Sequence, residues 1–328
     1  MRAARRTSPL VDDGLPTLAA ALDPDHVQDA FARECAALAH RPRIAGIRVL
    51  RHRPGRRCLI RYGFSGDTPA VLGKLTCKGV HERSLAVQTR LFATGFAVPE
   101  PLGPIPTLGL WLQREVRGRP LQAMLGEPAA VRAVEGAAEL LAALHRQPHG
   151  AAPAWAIEDE LGVLDQRLAA LGRARPDLAT RARRLREACH SAARLLPASR
   201  VCGIHRDFYP EQVLVADGPL HLVDLDLYSR GDPALDVGNF TAHLIEAAIR
   251  ETGDPAGYDP LIRAFERRYL AALPTTPPAA LAIFTFLSLA RLTQISTAIA
   301  DRRQATEAIL AAAEALDPAA STVSQTIA

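Results

Sequence analysis

Val201-Cys-Gly-Ile-His205-Arg206-Asp207-Phe-Tyr-Pro-Glu-Gln212-Val-Leu-Val-Ala-Asp217-Gly218-Pro-Leu-His221-Leu-Val-Asp224-Leu-Asp226, followed at once by Gly231-Asp232-Pro233-Ala-Leu-Asp236, is the densest polar constellation of this 328-residue chain. Short apolar runs flank each polar residue, as they would if strands held a loop rigid. Asp207 and Gln212 are five positions apart, enough for a loop whose first residue faces a substrate and whose last turns back at the start of a strand. Asp224 ends the next apolar run after the Asp217-Gly218 turn signal, which makes the two runs a hairpin. Asp207, Gln212 and Asp224 are therefore expected to converge. Ionised carboxylates beside apolar strands are costly to bury without a partner, so Asp207 and Asp224 read as functional.

Phosphoryl transfer uses such a convergence. It needs a carboxylate to orient and deprotonate a hydroxyl, hard oxygen ligands for Mg²⁺, and a cation on the nucleotide phosphates. Composition supplies a candidate cation. Of 39 basic residues only two are lysines, Lys74 and Lys78, and the other 37 are arginines. A chain that otherwise uses Arg admits an ammonium where a compact point charge is required. Lys74 falls within an apolar run, whereas Lys78 lies past its end and reads as solvated.

Working outward, three strands joined by tight turns are expected at Gly46–Arg53, Cys58–Tyr62 and Ala70–Leu75. A helix over Val80–Thr94 and a strand over Trp111–Val116 follow. Asp23-Pro24 signals the start of a leading helix over 24–40. Beyond Pro120, helices are expected at Ala129–His145, Arg181–Leu196, Val237–Arg250, Leu261–Leu273 and Ala279–Ala300, with a frayed tail from Ser321 to Ala328. The fold class is α+β: a small antiparallel-sheet lobe, residues 1–117, and a mainly helical lobe, residues 118–328. The first carries a net charge of +8, suited to an anionic ligand, and the second −4, suited to metal or a cationic substrate.

Apolar content of 48% with 23% charged residues excludes a disordered or collagen-like chain. No run of about 18 uninterrupted apolar residues occurs, so no membrane span is expected. The basic start, Met1 to Leu10, is followed by Asp12 and Asp13 rather than an apolar segment, which argues against secretion. Five scattered cysteines (Cys35, Cys58, Cys77, Cys189, Cys202) without a CxxC pair indicate neither a disulfide framework nor zinc, and fit a reducing cytoplasm.

The sequence resembles the aminoglycoside phosphotransferase and choline kinase family, the protein-kinase-like small-molecule kinases. The family's H-x-D-x-x-x-x-N motif appears as His205-Arg206-Asp207-Phe-Tyr-Pro-Glu-Gln212, its strand-borne metal Asp as Leu222-Val223-Asp224, and its G-D-P-x-x-D as Gly231 to Asp236. Leu-Ala-Ala-Leu-His145, Val98-Pro99 and Arg114-Glu115-Val116-Arg-Gly118 fall in the family's order, and the likeness covers roughly residues 45–300. The resemblance implies a two-lobed protein-kinase-like fold and ATP-dependent phosphorylation of a hydroxylated small molecule, by a monomer or homodimer that binds neither nucleic acid nor membrane. It implies Asp207 as base, Gln212 and Asp224 as Mg²⁺ ligands, Lys74 on the α and β phosphates, Glu82 as the helix carboxylate holding that lysine, and the backbone at Glu115 and Val116 against the adenine. Asp236 would fix the loop rather than touch substrate.

Two departures stand out. Gln212 replaces the usual Asn, and no G-x-G-x-x-G precedes Lys74, only Pro54-Gly55 and Gly63. His205 reads as bonding the loop backbone, and Asp226 as an exposed carboxylate. Trp155 with Glu158-Asp159-Glu160 and Asp165 falls where the family builds its acceptor site, so a cationic substrate is one reading and a solvated helix start the other. Two further function classes remain: a nucleotide-binding pseudokinase, favoured by Gln212, and a metal-dependent hydrolase built from His205, Asp207, His221, Asp224, Asp226 and His243, for which helical i,i+4 metal spacing is lacking.

Overall fold

A computed structural model describes residues 10–39, 43–216 and 218–318. The basic start up to Pro9, the helix end at His40, Asp217 of the turn and the tail from Ser321 lie outside the described residues. The chain divides into two compact units, Met1–Arg117 and Gly118–Ala328.

The first unit is built on a five-stranded antiparallel sheet. Its strands are β1 (Ile44–Arg53), β2 (Arg57–Phe64), β3 (Val71–Thr76), β4 (Pro101–Ile105) and β5 (Leu110–Arg114), in spatial order β1-β2-β3-β5-β4. Alternation assigns its faces. Cys58, Ile60, Tyr62 and Phe64 of β2 and Val71, Gly73 and Leu75 of β3 are buried on one side, while Leu72, Lys74 and Thr76 are half-buried on the other. The buried side is covered by the leading segment. Helices α1 (Leu18–Ala21) and α2 (Pro24–Glu34) bring Leu18, Val27, Ala30 and Phe31 onto Ile60, Tyr62, Val71 and Leu110. Full burial of each such Leu, Ile or Phe contributes about 1.5–3 kcal/mol. Phe31 meets Tyr62 edge-on at 5.0 Å, and the Tyr62 hydroxyl donates to Ala21 O.

The Asp23 carboxylate caps α2 by accepting from the N–H groups of Asp25 and His26, with Pro24 in the first turn. The leading helix does not run to residue 40. It stops at Glu34 because Cys35 is extended (φ −122°), its buried thiol facing Leu102 O, and a 3₁₀ turn follows over Ala36–Leu38. β4 was not expected, since Pro101, Gly103 and Pro104 argue against a strand. Prolines are tolerated there because β4 is an edge strand, paired only with β5. Helix α3 (Glu82–Ala93) lies between β3 and β4 in the chain.

The second unit is mainly helical: α4 (Ala130–Arg146), α5 (Ile157–Ala174), α6 (Ala179–Ala193), α7 (Ala234–Thr252), α8 (Asp259–Ala272), α9 (Pro278–Ala298) and α10 (Thr306–Ala315). Between α6 and α7 runs a set of short strands. β7 (Cys202–Ile204) pairs with β10 (Ser229–Gly231), and β8 (Val213–Val215) pairs with both β6 (Arg119–Pro120) and β9 (His221–Leu222), all antiparallel. Helices α7 and α9 pack so closely that a Cβ on Gly238 would lie 2.4 Å from the Phe284 carbonyl carbon. α9 is long and apolar enough to cross a membrane by length and composition, but most of its apolar stretch is buried within the protein. Its apolar character thus serves the core of this unit.

Candidate active site

The 205–212 loop is fastened at both ends. Asp236, fully buried in the first turn of α7, accepts the N–H groups of His205 and Arg206 at 2.7 Å each and faces His145 Nε2 at 3.0 Å. The other His145 nitrogen meets the Tyr269 hydroxyl at 2.8 Å, so α4, α7 and α8 all anchor the start of the loop. At the far end, Asn239 Nδ2 donates to Phe208 O, and Phe208 stacks on Phe240.

A second set of bonds ties the loop to Asp224. The His205 Nε2–H donates to Val223 O at 3.0 Å, and the Asp207 N–H donates to His205 Nδ1 at 3.3 Å, which requires the neutral Nε2–H tautomer. The Val223 N–H in turn donates to Gln212 O at 3.0 Å. Both peptide groups of Val223 are therefore held by the two ends of the loop, and Asp224 is the next residue. It sits in the left-handed region at φ +63°, as does Arg206 at φ +69°, and these are the only non-glycine residues with positive φ among those described. Backbone strain of this kind costs of order 1–3 kcal/mol and persists only where surroundings over-determine it.

Asp207, Gln212 and Asp224 are thus brought together. Burial raises the Asp207 carboxyl above the ordinary carboxylate range; the charges of Asp224 and Asp236 push the same way, and Arg291 opposes them. Gln212 is buried at the end of a 3₁₀ turn that leads into β8. Asp226 is half-buried in the turn Leu225–Leu227 rather than exposed.

The remaining candidates belong to the first unit. Lys74 occupies β3 opposite Leu59 and Trp111, its amine 5.0 Å from the Trp111 ring centroid, on the sheet face turned away from the leading helices. Lys78 is exposed. Glu82 is the exposed first residue of α3, whose buried positions are Ser84, Val87, Gln88 and Leu91. Glu115 has its carboxylate gripped by Arg61 through two bonds of 2.7 and 2.8 Å, and its N–H donates to Ala70 O; Val116 is the next residue.

The acidic run in the first turn of α5 is not a wholly free anionic patch. Asp159 accepts the Ala156 N–H at the helix start, and Glu160 is buried, pairing with Arg291 at 3.2 Å and accepting from Trp155 Nε1 at 3.2 Å. Glu158 and Asp159 keep the exposed position expected of all three, and Glu160 does not. Arg291 also donates to Asn239 Oδ1 at 2.5 Å, and the Arg206 guanidinium lies 3.2 Å above the Trp155 ring. Arg291 and Asn239 were missed in the sequence because each sits in an apolar helical stretch that reads as core.

Among the described residues no group of three or more His, Cys, Asp or Glu side chains is arranged to hold a metal. The histidines of the hydrolase reading are otherwise engaged. His205 is bonded as above, His221 Nδ1 faces Pro219 O, and His243 stacks on Tyr209 at 4.4 Å with burial pushing it down to about 3.

The family model of the phosphotransferase enzyme family (APH) matches residues 80–282. No curated protein matches the chain. Among solved structures, choline kinase from Cryptosporidium parvum superposes with a TM-score of 0.65 at 13% identity, covering 93% of this chain and 98% of that one. A choline/ethanolamine kinase family protein from Mesorhizobium loti gives 0.57 at 18% identity, with 89% and 94% covered. An aminoglycoside-3'-phosphotransferase of type VIII gives 0.54 at 18%, with 74% and 93% covered. The α+β fold is therefore the protein-kinase-like one of these structures, and the match over well above half of its length makes the chain a member of the phosphotransferase enzyme family.

Proposed function

We propose that this phosphotransferase moves the γ-phosphoryl group of ATP onto a hydroxyl of a small molecule in the cytoplasm. The observation that carries this reading is the double fastening of the 205–212 loop, to Asp236 on one side and to Val223 beside Asp224 on the other. Phosphoryl transfer asks little covalent work of a protein; positioning and charge stabilisation supply most of the acceleration.

Asp207 orients the acceptor hydroxyl and takes its proton as the new O–P bond forms and ADP departs. Asp224 and the Gln212 amide oxygen would hold Mg²⁺. The donor chemistry fits. The charge of Asp224 helps to raise the proton affinity of the Asp207 carboxyl, an anionic pairing that a divalent cation would relieve, and so small a set of hard oxygens suits an ion that completes its shell with phosphates and water. Bound there, Mg²⁺ neutralises phosphate charge. Lys74 contributes a point charge to the α and β phosphates, with Glu82 as its candidate carboxylate partner. Because the Glu115 N–H is already donated to Ala70, the Glu115 carbonyl and the Val116 N–H are the groups left to read the adenine edge.

The test is ATP consumption against a panel of hydroxylated metabolites and antibiotics, with Asp207→Asn as control. The variant should lose about 10²–10⁴-fold in turnover while keeping its ATP affinity. Absence of both turnover and ATP binding in the wild type would overturn the reading. ATP binding without turnover, across the whole panel, would favour the pseudokinase that Gln212 suggests.

A further inference from the structure

Arg206 is the residue the phosphotransferase reading does not use. Its backbone is fixed by Asp236 and its guanidinium is laid flat on Trp155. The polar contacts of that guanidinium are poor. Nη1 reaches Leu227 O and Ser229 Oγ only at 3.5 Å, and Nε is buried without a hydrogen-bond partner among the described residues. Among the described residues no carboxylate pairs with it within 4.0 Å. The nearest acidic groups are already engaged: Glu160 holds Arg291 and Trp155 Nε1, Asp159 caps α5, and Asp236 holds two backbone N–H groups. Burial, foremost, and the neighbouring Arg291 lower its proton affinity and outweigh the opposing charges of Glu160, Asp236 and Asp159, so on balance it occupies a site that disfavours its own charge.

A partly buried guanidinium without a counter-ion is costly, and the planar fork of Arg matches carboxylate and phosphate oxygens. The site is also next to the chemistry, because Asp207 is the following residue and consecutive Cα atoms are about 3.8 Å apart. Resting on the reading of Asp207 as base, we infer that the acceptor carries an anionic group, a carboxylate or a phosphate, close to the hydroxyl that is phosphorylated, and that Arg206 is the residue that binds it.

Two observations oppose a cationic acceptor here. One face of Trp155 is taken by a guanidinium, so that face cannot receive an ammonium group. Of the acidic run that invited a cation, Glu160 is the buried member, the one that meets Trp155, and it is neutralised by Arg291.

The inference is tested without nucleotide, so it is read independently of phosphoryl transfer. Glycerate, glycerol 3-phosphate, glycerol and ethanolamine are titrated into the full-length protein, and Trp155 emission and heat are followed. One of the two anions is expected to bind at least about tenfold more tightly than glycerol or ethanolamine, the pair distinguishing carboxylate from phosphate. Arg206→Gln should abolish that preference and Arg206→Lys should restore part of it, both with unchanged affinity for ATP. Both replacements meet the same positive φ, so backbone strain does not separate them. Equal or tighter binding of ethanolamine by the wild type overturns the inference whether or not the variants fold, as does an anion preference that survives undiminished in Arg206→Gln. A wild type that prefers the anions but neither binds nor consumes ATP would instead defeat the phosphotransferase reading.

Discussion

The two units hold their candidate residues by different means. In the second, Asp207, Gln212 and Asp224 hang from a buried polar network in which Asp236, His145, His205 and Val223 each make at least two bonds. In the first, Lys74 is positioned by the pleat of β3 between β2 and β5, with the hydrophobic core on the opposite face. Buried networks are cooperative and fail when one member goes, whereas a residue on a well-packed sheet can be exchanged without disturbing the strand. Substitutions in the second unit should therefore damage stability and chemistry together, and at Lys74 chemistry alone.

The largest effect is expected at Asp236. Replacing it by Ala leaves the N–H groups of His205 and Arg206 and the Nε2 of His145 without their acceptor in a fully buried place. The cost should be about 3–5 kcal/mol, read from denaturant unfolding, together with loss of turnover. Asp236→Asn keeps one acceptor oxygen and should fall between. An unfolding free energy for Asp236→Ala within about 1 kcal/mol of wild type would show that the loop is held otherwise, and would erase the contrast between the units.

Next in size is the lysine exchange. Lys74→Arg keeps the charge but replaces a compact ammonium by a broad fork facing Trp111, so turnover should fall about 10²-fold while the thermal midpoint stays within about 2 °C of wild type. Lys78→Arg, at an exposed position, should change neither. A Lys74→Arg enzyme with wild-type turnover would remove Lys74 from the nucleotide site, and a large loss of stability would place it in the structural class with Asp236.

The same contrast explains what could be read beforehand. The second unit's site was legible because its residues follow one another within 32 positions, and because a carboxylate ending an apolar run has few alternatives to function. His145, sixty positions before the loop, fell in the family's order without a role; its bond to Asp236 is a long-range pairing that no local pattern encodes. Glu160 misled for the opposite reason: composition at a helix start predicts solvated acids, and only the fold brings Arg291 from α9 to bury one. In the first unit, alternation gave β1, β2 and β3, but β4 with its two prolines was hidden, and Cys35 ended a helix whose apolar periodicity continued past it.

The smallest effect tests how the turn between β1 and β2 is held. Asp12 accepts from the N–H groups of Gly14 and Gly55 and from His52 Nε2 at 2.7 Å, tying the leading segment to the Pro54-Gly55 turn. Gly14 comes so close that a Cβ there would lie 2.5 Å from the Gly55 Cα, and Gly55 itself is left-handed at φ +68°. The Gly55 N–H, foremost, and then His52 hold the Asp12 carboxyl below its ordinary value. A depressed carboxyl contributes stability that is complete above its unfolded pKa, about 3.9, and is lost as pH falls through the lower folded value. Asp12→Asn should therefore lower the midpoint of urea unfolding slightly and by a constant amount from pH 7 down to about pH 4.5, with the gap to wild type closing only in more acid solution. A gap that instead widens as pH falls from 7 to 5 would point to His52, and not Asp12, as the group whose ionisation fastens the turn, since a bond that depends on imidazolium weakens as pH rises and would make the difference largest at the acid end of that range.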